Sequence, residues 1–367
     1  MDNLRKLEKL LEERNLKDIL IISPENIDYF LDVRTIADSL IILRASRDEG
    51  FKLYVPILEY YRFRDSLVGK NVEVFGVSRT IKPSDTNIVE KNWNDLVREV
   101  FEKNEKVGVD ISHSSPLLST VVKIGGERIV NVSEDIDRFR MIKDEWEINS
   151  IKKAIEITGN GIYRITDNLT EEITETQLAG VFEYNVRREG VEEYAFPPLI
   201  LFKPSNSYPH NLPSTNKLGD KNLVLVDVGV KYMGRCSDIT RMIIWRSISS
   251  EEKRALEILE EAIDEAIDHV QPGVKASEVD MKARRIVEKY GFGEKFIHGL
   301  GHGFGVVVHE KPYIRMNSET ILEPGMVFTI EPGIYVAGRY GVRIEEDVLV
   351  RKDGVEVLTR NISRVLT

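Results

Sequence analysis

The sequence has a single cysteine, Cys236, among 367 residues. No internal disulfide can form, and the chain suits a reducing, cytoplasmic compartment. Long apolar runs are also missing: none approaches the ~18 residues that would cross a bilayer. The opening stretch, MDNLRKLEKLLEERNLKD, is charged throughout and reads as an amphipathic helix over 2–14, not a secretory leader. There is no basic tail or stripe, and the net charge is −10. Neither nucleic acid nor a membrane is therefore an expected partner. Short repeats and low-complexity segments are absent too. Histidine is scarce, with six in the chain, so three of them in one short segment carry weight.

A chain of this length, 42% hydrophobic and 31% charged, fits a soluble globular protein of two domains. Residues 1–130 alternate helix and strand patterns. Strands are expected at 17–23, 39–43, 51–56, 72–77 and 106–112, helices at 57–66 and 87–101, and a turn at Pro24-Glu25-Asn26. Such alternation predicts an α/β domain with its own core. It holds no catalytic constellation, and His113, between Ser112 and Ser114, reads as a turn or cap residue. Residues 131–367 form the second domain, with helices expected at 144–168, 175–190, 250–270 and 276–290. Ile148, Ile151 and Ile155 recur at helical spacing as a core stripe.

Between these helices, residues 223–245 read LVLVDVGVKYMGRCSDITRMIIW. Two apolar runs flank a short break at 231–234, the pattern of a β-hairpin. A loop over 231–234 predicts Asp227 directly opposite Asp238. Like charges so placed repel, and buried unpaired carboxylates cost more. A cation between them resolves the conflict; so does an ordinary Asp pair at a frayed strand end. The hairpin alone leaves these readings level.

The segment 326–350, MVFTIEPGIYVAGRYGVRIEEDVLV, repeats the arrangement. A turn centred on Gly338 predicts Glu331 opposite Glu345. Arg343 shares a face with Glu345, as counter-ion, substrate anchor or half of a surface pair with Asp347. Glu346 should point to the other face, and Asp347 lies further along. Residues 296–310 read FIHGLGHGFGVVVHE and contain His298, His302 and His309. Their glycines argue against a helix and suit a backbone packed closely with imidazoles projecting. Four carboxylates and an imidazole match a two-metal site that activates a hydroxide. Oxygen-rich ligation favours Mn²⁺ or Co²⁺, with Zn²⁺ also compatible.

Taken in order, Asp227, Asp238, His in GHG, Glu in EPG and Glu in RIE resemble the pita-bread metallopeptidases. That group includes methionine aminopeptidase, aminopeptidase P and prolidase (Xaa-Pro dipeptidase). The resemblance is carried by VDVG with SDITR, HGLGHGFGVVVHE, FTIEPGIY and VRIEED, over residues 135–367. It is looser over the first domain, whose presence resembles the prolidase and aminopeptidase P branch. It implies a creatinase/prolidase-like α/β N-terminal domain for substrate access and dimerisation. Beside it comes an α+β pita-bread catalytic domain with a curved, mostly antiparallel sheet.

By the same resemblance, Asp227, Asp238, His302, Glu331 and Glu345 are ligands of two divalent ions per subunit. Asp238 and Glu345 bridge them. His210, His298, His309 and Arg343 are substrate-pocket residues, and His210, His309, Glu331 and Arg343 are catalytic. The implied reaction is attack of a metal-bridging hydroxide on an Xaa-Pro peptide bond, most simply in a dipeptide with proline second, by a homodimer. An aminopeptidase P-like enzyme acting on longer peptides is the alternative. Inactive pita-bread domains that bind proteins lose ligands; here all five positions are filled. Departures from the family pattern are LFKPSNSYPH before His210, FLDVRT in the first domain, and Arg235 where tyrosine is usual.

Overall fold

The computed structural model describes residues 3–36 and 39–367. The chain divides into two compact units, Met1–Arg140 and Met141–Thr367. The division falls ten residues past the one expected at 130, because the helix Ser133–Met141 lies almost wholly in the first unit.

In the first unit, helices α1 (Leu4–Glu13), α2 (Pro24–Leu31), α3 (Tyr60–Ser66), α4 (Trp93–Glu102), α5 (Leu118–Gly125) and α6 (Ser133–Met141) accompany a sheet. Its strands are β1 (Asp18–Ile21), β2 (Ile42–Ser46), β3 (Gly50–Pro56), β4 (Glu73–Val77), β5 (Ile88–Val89), β6 (Val107–Val109) and β7 (Ile129–Asn131). Among the described residues the order is β5-β4-β3-β2-β1-β6-β7. The pairs β1–β2 and β2–β3 are antiparallel and the rest parallel. The helix expected over 2–14 is α1, which buries Leu4, Leu7, Leu10 and Leu11; residue 2 lies outside the described residues.

Three expectations in this unit need correction, the first being the strand at 39–43, which is found as β2 at Ile42–Ser46. Pro24-Glu25-Asn26 is not a turn but the start of α2: Pro24 takes the first helical position and Ser23 Oγ accepts from Asn26 N–H at 3.4 Å. Turn residues and helix-start residues are the same chemical set, so this tripeptide fits either. The helix expected over 87–101 begins only at Trp93, capped by Asn92; Ile88–Val89 before it form an edge strand. His113 is a turn residue, with Nε2 3.1 Å from Asp137.

The second unit contains α7 (Glu145–Thr166), α8 (Glu175–Arg188), α9 (Ser250–Asp268) and α10 (Ala276–Lys289). Capping boxes start α7, α8 and α9, at Asp144/Glu147, Thr174/Gln177 and Ser249/Glu252. The strands are β8 (Glu193–Tyr194), β9 (Leu199–Phe202), β10 (Leu223–Val228), β11 (Val230–Tyr232), β12 (Arg235–Cys236), β13 (Ile239–Ile244) and β14 (Gly301–Gly303). They continue with β15 (Glu310–Ile314), β16 (Val327–Ile330), β17 (Gly333–Val336), β18 (Tyr340–Arg343), β19 (Glu346–Arg351), β20 (Gly354–Val357) and β21 (Val365–Leu366). Pairing is antiparallel in this unit except between β13 and β21.

Strand β10 shows how the unit is layered. Val224 and Val226 pack into a core with α7 and α8, while Leu223 and Leu225 face a second core with α9 and α10. Both faces are covered, so the strand is apolar throughout. Each fully buried Leu or Ile on these helices contributes about 1.5–3 kcal/mol. By alternation Asp227 shares the face of Leu223 and Leu225.

Both long hairpins are interrupted halfway. Strands β10 and β13 pair, then the chain breaks and pairs again as β11 and β12. Strands β16 and β19 do the same, continuing as β17 and β18. In the first hairpin the turn is the two-residue Met233-Gly234, both with positive φ (47° and 69°). Asp227 consequently faces Thr240, not Asp238. The four-residue loop expected at 231–234 was too long. The error is a shift of two residues, which leaves Asp238 on the same face as Asp227. In the second hairpin the expected register is observed: Gly333 faces Arg343 and Ile330 faces Glu346. Glu331 and Glu345 lie between those pairs, in the break.

Candidate metal centre

The breaks are where the acids are. Asp227 lies near the end of β10, Asp238 and Glu345 just precede β13 and β19, and Glu331 just follows β16. His302 is the middle residue of β14, which lies beside β16. Glycine makes two close approaches possible. A Cβ on Gly229 would lie 2.2 Å from Ser237 O, and one on Gly301 would lie 1.9 Å from Thr329 O. The chain crosses itself there at distances only glycine permits.

Asp227, Asp238 and Glu345 each offer an oxygen within 4.8 Å of the others. His302 Nε2 is 3.6 Å from Asp238 Oδ2 and 3.3 Å from Glu331 Oε1. All five residues therefore converge, and all five line a cavity of 610 Å³. His210, His298, His309 and Arg343 line the same cavity, with Phe196, Pro197, Leu199 and Leu212 among its apolar lining. Every sequence-derived site residue reaches it.

The electrostatics favour a cation. Burial pushes Glu345 up to about 8, helped by Glu331 and Asp227. Asp238 is driven well above the carboxylate range by burial and then by Glu345 and Asp227. Asp227 is raised by burial, against the opposing charge of Arg343. Glu331 is also buried, but the hydrogen bond and charge of His302 outweigh burial and hold it at about 2. Asp227 Oδ1 and Glu345 Oε1 are buried without a hydrogen-bond partner among the described residues. Orphaned, mutually repelling oxygens beside an imidazole fit divalent cations as no set of protein donors here does.

A surrounding shell aims these groups. Thr240 Oγ1 donates to Glu345 Oε2 at 2.8 Å, and Arg343 Nε donates to Thr240 Oγ1 at 3.1 Å. Arg343 also donates to Asp227 Oδ2 and, at 2.7 Å, to Tyr335 OH. It is thus a buried counter-ion, not half of a surface pair with Asp347. Thr329 Oγ1 accepts from His302 N–H at 3.1 Å and donates to Glu331 Oε1 at 3.3 Å. His302 Nδ1 lies 3.1 Å from Gly303 O, which directs Nε2 toward the carboxylates. Glu346 points away, to Arg241, Thr359 and Arg364.

Thr240, Thr329 and Tyr335 were not legible as site residues. A signal existed for the threonines: each stands two residues from a candidate ligand, on the same strand face. The His309 ring lies 4.2 Å from that of His302, centroid to centroid. Burial and then the neighbouring His302 charge lower His309 to about 4, so it is neutral at pH 7. Burial also lowers His298, whose Nε2 has no partner among the described residues.

The model of metallopeptidase family M24 matches residues 149–352, and that of the creatinase/prolidase N-terminal domain matches residues 3–142. The chain belongs to metallopeptidase family M24. M24 is a family of divalent-metal-dependent peptidases, so this M24 protein is a peptidase. It is 32% identical over 366 residues to an Xaa-Pro dipeptidase of Pyrococcus furiosus, covering 100% of this chain and 99% of that protein. The prolidase structure from Pyrococcus horikoshii OT3 superposes with TM-score 0.85 at 31% identity, covering 98% of each chain. The X-Pro aminopeptidase structure from Thermotoga maritima superposes with TM-score 0.86 at 28% identity, covering 100% of this chain and 99% of that one. The expected α/β N-terminal domain and pita-bread catalytic domain are therefore the fold of this M24 peptidase.

Proposed function

We propose that this chain is a two-metal prolidase that hydrolyses Xaa-Pro dipeptides. The observation that carries the proposal is the convergence of Asp227, Asp238 and Glu345 within 4.8 Å, with two orphaned oxygens, beside His302 and the His309 ring packed on it. Asp227, Asp238, His302, Glu331 and Glu345 would hold two divalent ions, Mn²⁺ or Co²⁺ before Zn²⁺ given the oxygen-rich set. Bound there, the ions supply Lewis acidity and an activated water.

The protein's own groups do the rest. His309, neutral and facing the cavity, donates a hydrogen bond to the scissile carbonyl oxygen as negative charge develops on it. Glu331, ionised, would take up the proton released by the activated water, and His210, which lines the cavity, would assist the leaving nitrogen. Arg343 opposes the upward push of burial on Asp227 and fixes its carboxylate by a hydrogen bond. The apolar lining of Phe196, Pro197, Leu199 and Leu212 suits the proline ring and excludes water. The first domain serves substrate access and dimerisation, in a cytoplasmic homodimer.

Release of the first residue from longer Xaa-Pro peptides is the second reading, favoured by the full-length likeness to the Thermotoga maritima X-Pro aminopeptidase. Hydrolysis of Met-Pro and of a longer Xaa-Pro peptide, compared without metal and with Mn²⁺, Co²⁺ or Zn²⁺, separates the two. Metal-dependent cleavage of Met-Pro is expected. Cleavage of the longer peptide alone moves the assignment to the second reading. No cleavage of either with any metal overturns both, leaving a binding module.

A further inference from the structure

Behind the cavity lies an ion pair that the peptidase reaction does not use. Lys143 Nζ is 2.8 Å from Glu310 Oε1, with the two side chains 0% and 6% exposed. The partners are 167 residues apart in the chain. Burying both charges costs desolvation energy that their attraction recovers only in good geometry, and an apolar pair of similar volume often does as well. Stability alone is therefore a poor reason for the pair.

Its position suggests another reason. Glu310 is the first residue of β15 and His309 is the last residue of the loop before it. Neighbouring residues entering a strand point to opposite faces, so anchoring Glu310 away from the cavity aims His309 into it. The loop 304–309 has no helix or strand of its own. The ladder also slips where this loop leaves β14: His302 pairs with Tyr313, but Gly303 pairs with Glu310. Register at the slip needs a fixed point, and the Glu310 side chain provides one.

The packing around the pair is specific. A Cβ on Gly305 would meet Glu310 Oε1 at 2.6 Å and Lys143 Cε at 3.2 Å, so the loop passes directly over the ion pair. Gly305 O accepts from Cys236 N–H at 2.7 Å, tying the loop to the strand that ends two residues before Asp238. Lys143 N–H donates to Gly325 O at 2.9 Å, which fixes the lysine backbone.

We propose that Lys143 is a positioning residue that sets His309 through Glu310. The inference rests on the proposed peptidase reaction only for its kinetic readout; melting temperature and metal stoichiometry are read independently. Removing one partner strands the other charge in the interior, so the test is the paired replacement K143M/E310Q. Expected are a melting temperature at or above the parent's, unchanged metal stoichiometry, KM within about twofold, and kcat lowered by about tenfold, as for a small displacement of a reacting group. In a His309→Ala background the same replacement should lower kcat no further, the non-additivity of groups acting as one unit. K143R, which keeps the charge, should retain kcat within about threefold.

A second buried pair supplies the control. Glu147 Oε1 accepts from Arg235 Nε at 3.0 Å, and it braces the strand leading to Asp238. Its replacement, E147Q/R235M, should combine with His309→Ala multiplicatively. The proposal is overturned if folded, metal-loaded K143M/E310Q keeps parental kcat. It is equally overturned if the loss is additive with His309→Ala, or if the control pair couples to His309 as strongly. Were the parent to cleave no Xaa-Pro peptide at all, the peptidase reading would fail, whatever the variants did.

Discussion

The first unit and the second each bury carboxylates, and they treat them in opposite ways. Asp110 is completely buried, yet it is provided for: it accepts from Ile22 N–H at 2.8 Å, Ser23 N–H at 3.2 Å and Asn26 Nδ2 at 2.8 Å. Asn26 is held in turn by Arg140. Asp227, Asp238 and Glu345 are buried to a similar degree, but Asp227 Oδ1 and Glu345 Oε1 have no partner. Burial by itself thus says little about function. Unsatisfied oxygens alone do not mark a site either, since both oxygens of buried Asp347 also lack a partner among the described residues; what marks the cluster is unsatisfied oxygens that line the cavity. The first unit uses an acid to join strand, loop and helix. The second keeps its acids repelling one another for a ligand from outside.

That contrast can be broken most forcefully at Asp238. Asp238→Asn should abolish metal-dependent hydrolysis, by at least about 10³-fold in kcat/KM, because it removes an anionic oxygen common to the cluster. Its melting temperature without metal should equal or exceed the parent's, since one source of repulsion is gone. Retained activity would show that Asp238 is an ordinary buried acid. Kinetics with Met-Pro and a thermal melt without metal check both halves.

Asp110→Asn should have a far smaller effect on kcat and should act through the fold. Burial raises Asp110 to about 6, outweighing its donors. Its folded value therefore lies above its unfolded one. The folded state binds the extra proton, so this contribution to stability is present below about pH 4 and is lost as pH rises toward about 6. Melting temperature followed across that window should fall with pH more steeply in the parent than in Asp110→Asn. Identical slopes would remove Asp110 from the account.

Much of the site was legible in the sequence because its pieces obey strand periodicity. Asp227, Asp238, Glu331 and Glu345 each interrupt an apolar run, and His302 stands out among glycines that rule out a helix. The register of the second hairpin followed from one glycine, Gly338. The first did not, because Met233 adopts a left-handed conformation that a methionine does not advertise. The threonines and Tyr335 that orient the ligands were hidden for another reason. Their role depends on which strands become neighbours, and Thr240 with Glu345, or Arg343 with Tyr335, meet only after the sheets form. Lys143 and Glu310 were invisible on the same grounds. In the first unit, α2 was missed because Pro24 and Asn26 serve turns and helix starts equally well.

The central claim is that the cluster in the second unit is built around divalent cations. Calorimetric titration of metal-free protein with Mn²⁺, monitored together with Met-Pro hydrolysis, tests it most directly. The account predicts two ions bound per chain, activity that appears as they bind, and no such binding in Asp238→Asn. Full hydrolysis by protein stripped of metal, or a titration with no bound ion, would contradict it.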